Sequence, residues 1–384
     1  MGKTVKRVNN RSLASIALVG ALAATLTACG ADATTSGKTT DAGKDAATTE
    51  AAADLSGNLA GAGATSVEKA MGGWIAKFGE TAPDVTVSYA GGGSSAGREQ
   101  FLAGGILFAG SDSALKPEEV TSAVDRCFGG EAIELPLYIS PIAVVYNLPG
   151  VDAANINMSA STIAKIFSGQ ITNWNDAALA AENEGTTLPD LAIIPVNRSD
   201  ASGTTKNFTD YLAKASDGVW THEASDDWPI SGTQSGNGTS GLIDTVTGAE
   251  GAIGYADASR AGDLGTVALK VGDAYVPFST EAAAKVVDAS PRADDATDKR
   301  LVVKIDRTTT EAGTYPLVLV SYSIACSTYD DAADAANIKA FLSYIASPEG
   351  QELASDAKVA GSAPISDALR TEVQAAIDSI TVKS

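Results

Sequence analysis

The chain is expected to fold as an α/β protein, because short β-rich runs alternate along it with helix-like runs. Glycine-rich turns repeatedly join a strand to a helix, and no long linker divides the folded part into independent blocks. In chain order, residues 66–78 space Val67, Ala70, Met71, Trp74, Ile75 and Phe78 at helical intervals, which predicts a helix. Residues 85–89 (Val-Thr-Val-Ser-Tyr) are mostly β-branched or aromatic and predict a strand, as do 132–137 and 142–146. A helix follows at 161–167, a strand at 192–196 and a helix at 204–213. Residues 317–323 read as a late strand, and 336–346 and 367–377 as closing helices.

Three loops are rich in Gly, Ser and Thr and open toward helices. They are Gly61-Ala62-Gly63-Ala64-Thr65-Ser66, Gly91-Gly92-Gly93-Ser94-Ser95-Ala96-Gly97 and Arg198-Ser199-Asp200-Ala201-Ser202-Gly203-Thr204-Thr205. At a helix start the unpaired N–H groups and the positive dipole end suit an anion. Hydroxyls add donors, and glycine lets the backbone come close to a ligand. Any one such loop is explained by helix capping alone; three in one chain point to an oxyanion site.

The N-terminus predicts export. Lys3, Lys6, Arg7 and Arg11 precede an apolar run over 12–26, closed by Thr27-Ala28-Cys29, which has the order of a signal peptide over 1–28. Leu26-Thr27-Ala28-Cys29 resembles the bacterial lipobox, which implies that Cys29 carries lipid and begins the mature chain. Residues 29–56 hold Ala, Thr, Asp, Gly and Lys almost alone and read as a flexible tether. The formal charge of −20 becomes −24 once the four basic residues of the leader are gone. Such a charge excludes nucleic acid as a partner, since affinity there comes from Lys and Arg. It also supplies no steering field for an anion. Cys127 and Cys326 remain as an even pair in an oxidising compartment, as a disulfide or as two buried thiols. No metal-ligand spacing is present, and His222 is the only histidine.

Gly93-Ser94-Ser95-Ala96-Gly97 also matches the G-x-S-x-G nucleophile elbow, which makes a serine hydrolase the alternative from another class. A triad would have to use His222, which sits in a polar stretch beside Ser225-Asp226-Asp227 and reads as an exposed surface residue.

In order along residues 57–370, the chain resembles the phosphate-binding subunit, periplasmic or lipoprotein, of the bacterial phosphate-specific ABC transporter. The resemblance is carried by Gly61 to Thr65, Tyr89 to Gly97, Phe108-Ala109-Gly110-Ser111-Asp112 and Asn197 to Thr204. Lesser matches are Phe167 to Trp174, Trp228-Pro229-Ile230 with Gly236-Asn237-Gly238, and Gly251 to Tyr255. Ser66 stands where many relatives carry Phe-Pro after the threonine, and the segment Cys127 to Gly130 is longer and more polar than the minimal form.

The resemblance implies two α/β lobes, lobe I over 57–143 plus 323–384 and lobe II over 144–322, with hinge strands between them and the ligand in the interlobe cleft. It further implies a phosphate site of Thr65, Ser66, Ser94, Asp112, Arg198, Asp200, Ser202, Gly203 and Thr204. Arg198 would be the cation and Asp200 its orienting partner. An ionised Asp112 would accept the proton that phosphate keeps and sulfate lacks, or else cap the segment at Ser113. No catalysis, cofactor or metal is expected. The implied partners are inorganic phosphate, an ABC permease and the membrane through the lipid alone, for a monomer on the outer face of the cell membrane. A phosphate sensor, or a binder of another tetrahedral oxyanion, is the remaining competitor.

Overall fold

The computed structural model describes residues 55–384. The leader 1–28, Cys29 and the tether up to residue 54 lie outside the described residues. Ser56, placed in the tether from sequence, is already docked: its carbonyl accepts a hydrogen bond from Asn337 Nδ2 at 2.7 Å.

The first half of the fold opens with β1 (Gly57–Gly63), α1 (Glu68–Thr81), β2 (Val85–Gly91), α2 (Ser94–Leu102), β3 (Phe108–Ser111), α3 (Pro117–Arg126) and the long β4 (Ala132–Tyr146). Next come β5 (Ile156–Met158), α4 (Ala160–Phe167), α5 (Ala177–Glu182), β6 (Ile194–Arg198), α6 (Gly203–Ala215), β7 (Gln234–Gly236), α7 (Gly238–Thr247) and β8 (Ala252–Asp257). After β9 (Gly265–Val271), β10 (Ala274–Val276) and α8 (Thr280–Ala289), the chain returns through β11 (Val318–Cys326). It closes with β12 (Thr328–Tyr329), α9 (Ala332–Ala346), α10 (Pro348–Ser355), α11 (Asp367–Asp378) and β13 (Thr381–Val382).

One mixed sheet runs in the order β2-β1-β3-β11-β4-β8-β6-β7. Strands β1, β2 and β3 are parallel, as are β6, β7 and β8, and antiparallel β11 and β4 lie between the two sets. Strand β4 belongs to both halves. Its residues 132–141 pair with β11, and Ile142 to Tyr146 pair with β8. The sequence predicts two strands here, 132–137 and 142–146, which the structure joins into one; the strand holds Pro136 and Pro141, and proline removes a ladder donor. The structure places Pro136 where the register slips opposite Ser321 and Tyr322, and Pro141 beside the change of partner. Both prolines therefore fall where the regular ladder is already broken.

The expectation of a turn over Gly61 to Gly63 is corrected: these residues end β1, paired on both sides by β2 and β3. The strand lacks β-branched residues because its neighbours leave no room for them. A Cβ on Gly61 would lie 2.2 Å from the Phe108 ring, and one on Gly63 2.0 Å from the Gly110 carbonyl oxygen.

Helix α1 buries Ala70, Met71, Trp74 and Phe78, the stripe read from its periodicity. In the other half, Phe208 of α6 stacks on Tyr255 of β8 at 4.2 Å, with Phe167 and Trp228 packed around them. This aromatic cluster fixes α6 against the sheet. Cys127, at the end of α3, and Cys326, at the end of β11, form a buried disulfide. Among the described residues, no helix is long and apolar enough to cross a membrane.

Candidate functional site

The three hydroxyl-rich loops, drawn from both halves of the sheet, meet at one place. Strand β1 ends at Gly63 and delivers Thr65 and Ser66, β2 runs through Gly93 into Ser94 at the start of α2, and β3 delivers Asp112. From the other half, β6 ends on Arg198, and α6 starts with Gly203 and Thr204 behind its cap Ser202. All of these except the half-buried Asp200 are buried, although most are polar. Buried polar side chains need partners, and here they find one another.

Asp112 is the centre of the cluster. Its Oδ1 accepts from Ser66 Oγ at 2.7 Å and its Oδ2 from Thr204 Oγ1 at 3.0 Å, so one carboxylate joins the two halves. Its backbone N–H donates to Ser94 Oγ at 3.1 Å, and its carbonyl accepts from Asn207 Nδ2 at 2.7 Å. Asp112 does not cap a helix, because α3 starts only at Pro117. Burial pushes its carboxyl above the ordinary range, while the nearby hydroxyls of Ser66, Ser321 and Thr204 and the Arg198 charge act against that rise.

Arg198 donates from Nε to Asp200 Oδ1 at 2.8 Å and from Nη2 to Asp200 Oδ2, a forked pair that fixes the guanidinium plane. Asp200 also accepts from the Gly238 N–H at 2.9 Å. Burial alone would raise its carboxyl, but Arg198 and the Gly238 N–H outweigh this and hold it below the usual range. Ser202 Oγ caps α6 by accepting from the Thr205 N–H at 3.4 Å, which leaves its own hydrogen free to donate elsewhere. Capping and ligand donation are compatible roles for this serine.

A fourth loop completes the ring and was missed as a contributor. Thr239, in the first turn of α7, shares a 2.8 Å hydrogen bond with Thr65 Oγ1 and donates its N–H to the same oxygen at 3.1 Å. The signal was present: Gly236-Asn237-Gly238-Thr239 has the same Gly-and-hydroxyl opening into a helix as the other three loops. Tyr255 was missed too. Its hydroxyl accepts from the Arg198 N–H at 3.3 Å and shares a 2.7 Å bond with Thr205 Oγ1, setting the end of β6 against the start of α6.

The hydrolase alternative finds no support in this geometry. The elbow serine, Ser95, receives a hydrogen bond from Arg98 Nη2 at 3.2 Å. His222 is exposed, with its ring against Trp220. Hydroxyl and N–H donors, one clamped guanidinium and one buried acceptor carboxylate suit a small oxyanion that still carries a proton. Among the described residues, no group of His, Cys, Asp and Glu is placed to hold a metal ion.

Comparison with known proteins agrees with this picture. A family model described as a PBP superfamily domain matches residues 46–349. The chain is 34% identical over 382 residues to the phosphate-binding protein PstS2 of Mycobacterium bovis (strain BCG), covering 97% of this chain and 99% of that one. The solved structure of a high affinity periplasmic phosphate-binding protein (PfluDING) bound with phosphate superposes with a TM-score of 0.67 at 19% identity. That match covers 83% of this chain and 93% of the other. A phosphate-binding protein from Stenotrophomonas maltophilia gives 0.62 at 20% identity with the same coverage. These last two likenesses show the two-lobed periplasmic-binding fold, while the match to PstS2 spans nearly both chains. The chain belongs to the PstS family of phosphate-binding proteins, within the PBP superfamily.

Proposed function

We propose that this protein captures inorganic phosphate between its two lobes outside the cytoplasm and hands it to an ABC permease, without catalysing a reaction. One observation carries the reading: a buried acceptor, Asp112, faces hydroxyl donors from both halves, with Arg198 held nearby by Asp200. Thr65, Ser94, Ser202 and Thr204 supply hydroxyls, and the N–H groups of Thr65, Ser66, Ser94, Gly203 and Thr204 add to them. Arg198 supplies the positive charge. The bound oxyanion would exchange partners with the hydroxyls that now satisfy Asp112, so the cluster stays hydrogen-bonded with and without ligand.

Asp112 gives selectivity. As a carboxylate it only accepts, so it can pair with the proton of hydrogen phosphate, whereas sulfate would leave it repelled and unpaired. Local dipoles and Arg198 bind the anion although the chain as a whole is strongly negative. Lobe I is assigned to 57–143 plus 323–384 and lobe II to 144–322, which is supported by the change of partner along β4. Lipid on Cys29 would hold the monomer at the outer face of the membrane, with residues 29–56 as a tether.

The test is calorimetric titration of wild type and Asp112→Asn with phosphate and sulfate. The variant should lose phosphate affinity and gain sulfate binding, because an amide can donate to sulfate. Unchanged discrimination would refute the proton-reading role.

A further inference from the structure

The proposed phosphate contacts make no use of Arg98, which is fully buried on α2. Its Nη1 donates to Ser111 Oγ at 3.0 Å, beside Asp112, and its Nη2 to Ser95 Oγ at 3.2 Å, beside Ser94. Within its own half, Arg98 is already neutralised by Glu119 of α3, to which Nε donates at 3.0 Å. A second acid comes from the other half: Asp226 Oδ2 accepts from Arg98 Nη2 at 3.1 Å. Asp226 Oδ1 lies 3.3 Å from Ser113 Oγ, and its carbonyl accepts the N–H of Ser202, the cap of α6, at 2.9 Å.

On this geometry we infer that Arg98 and Asp226 form a closure latch, a positioning pair that couples assembly of the phosphate loops to the approach of the two lobes. The inference rests on the phosphate reading above and adds a source of affinity outside the ligand contacts. Two features make the pair reversible. Without Asp226, Arg98 keeps Glu119, Ser95 and Ser111, so an opened molecule is not left with a buried unpaired guanidinium. Asp226 lines a cleft of about 260 Å³ together with Lys116 and Lys206, so its carboxylate can rehydrate when the lobes part. Closing the lobes brings Asp226 onto Arg98 and, through the same residue's carbonyl, sets the Ser202 turn from which Gly203 and Thr204 enter the site. Interactions made only in the closed state slow release rather than speed capture.

The test uses Asp226→Asn, an isosteric change, on the full chain, with Ser113→Ala as a milder variant. Stopped-flow phosphate kinetics should show dissociation about ten- to a hundredfold faster in Asp226→Asn, with association changed less than about threefold. Ser113→Ala should move dissociation in the same direction by a smaller factor. Without phosphate, the Tm of Asp226→Asn should stay within about 2 °C of wild type, and small-angle scattering should show a larger radius of gyration. Dissociation within about twofold of wild type would overturn the latch. A lower ligand-free Tm with an unchanged radius would also overturn it, since that is the signature of a purely structural ion pair. If the wild type binds no phosphate, the phosphate reading fails alone. The scattering comparison then still decides the latch, a larger radius in Asp226→Asn supporting it and an equal one overturning it.

Discussion

Replacing Gly203 by alanine tests whether the lobes must close as tightly as this structure shows. A Cβ on Gly203 would lie 2.5 Å from Ser94 Oγ, 2.7 Å from Asp112 Cβ and 3.1 Å from the Asp112 carbonyl carbon. Ordinary contact needs 3.4–4 Å, and two of these atoms cannot swing aside, since they are the Cβ and main chain of Asp112. The lobes would therefore have to part by about 1 Å to relieve the overlap. That shift would stretch Asn207 Nδ2 to the Asp112 carbonyl from 2.7 Å out of good hydrogen-bonding geometry, and with it the bond that the Thr204 hydroxyl would donate to an anion held by Asp112 across the cleft. With about 1–2 kcal/mol for each bond lost, the closed state is weakened by about 2–4 kcal/mol, or about 30- to 1,000-fold in phosphate affinity. The open state feels no clash, because the three nearest atoms belong to the other half. Thermal melting of ligand-free Gly203→Ala should match wild type, while calorimetry shows the affinity loss. Phosphate affinity within about threefold of wild type would refute the reasoning.

Four further outcomes follow from named contacts. Gly72→Ala, on the open side of α1 with no heavy atom near its Cβ, should leave phosphate affinity alone and stabilise the chain by about 0.5–1 kcal/mol in denaturant unfolding. Arg198→Lys loses the fork on Asp200 and should weaken phosphate binding about ten- to a hundredfold by calorimetry. Reducing the Cys127–Cys326 disulfide, which spans 199 residues of sequence, should lower stability by about 2–5 kcal/mol in melts run with and without reductant. Asp257 is fully buried against the Tyr138 hydroxyl, and burial raises its carboxyl to about 6. The neutral form is favoured in the fold, so its contribution is complete below about pH 4 and is lost as pH rises through about 6. Asp257→Asn should therefore stabilise the protein at pH 8 by about 3 kcal/mol and do little at pH 4, as unfolding at the two pH values will show.

Much of the site was legible because its chemistry is local. Ser94, Ser202 and Thr204 sit in loops whose composition states both a helix start and a set of donors, and Asp112 and Arg198 were drawn in by motif order. What was not legible depends on packing. Strand β1 reads as a loop because its glycines answer to Phe108 and Gly110, residues that sequence cannot place beside it. The strands read over 132–137 and 142–146 are one strand, β4, and only its neighbours reveal the slip and the change of partner that it spans. Thr239 was readable in kind but not in place, because its contact with Thr65 spans 174 positions. Arg98 and Asp226 carried no local signal, as neither stands in a hydroxyl-rich turn opening a helix, and their meeting requires the two halves to be folded together.

The central claim is that the ring around Asp112 and Arg198 takes phosphate and rejects sulfate. Calorimetric titration of the intact chain with each anion near neutral pH, where phosphate keeps a proton and sulfate has none, tests it most directly. One phosphate bound per chain, with no heat from sulfate, is the predicted result. Sulfate bound as well as phosphate, or no phosphate bound, would contradict the account.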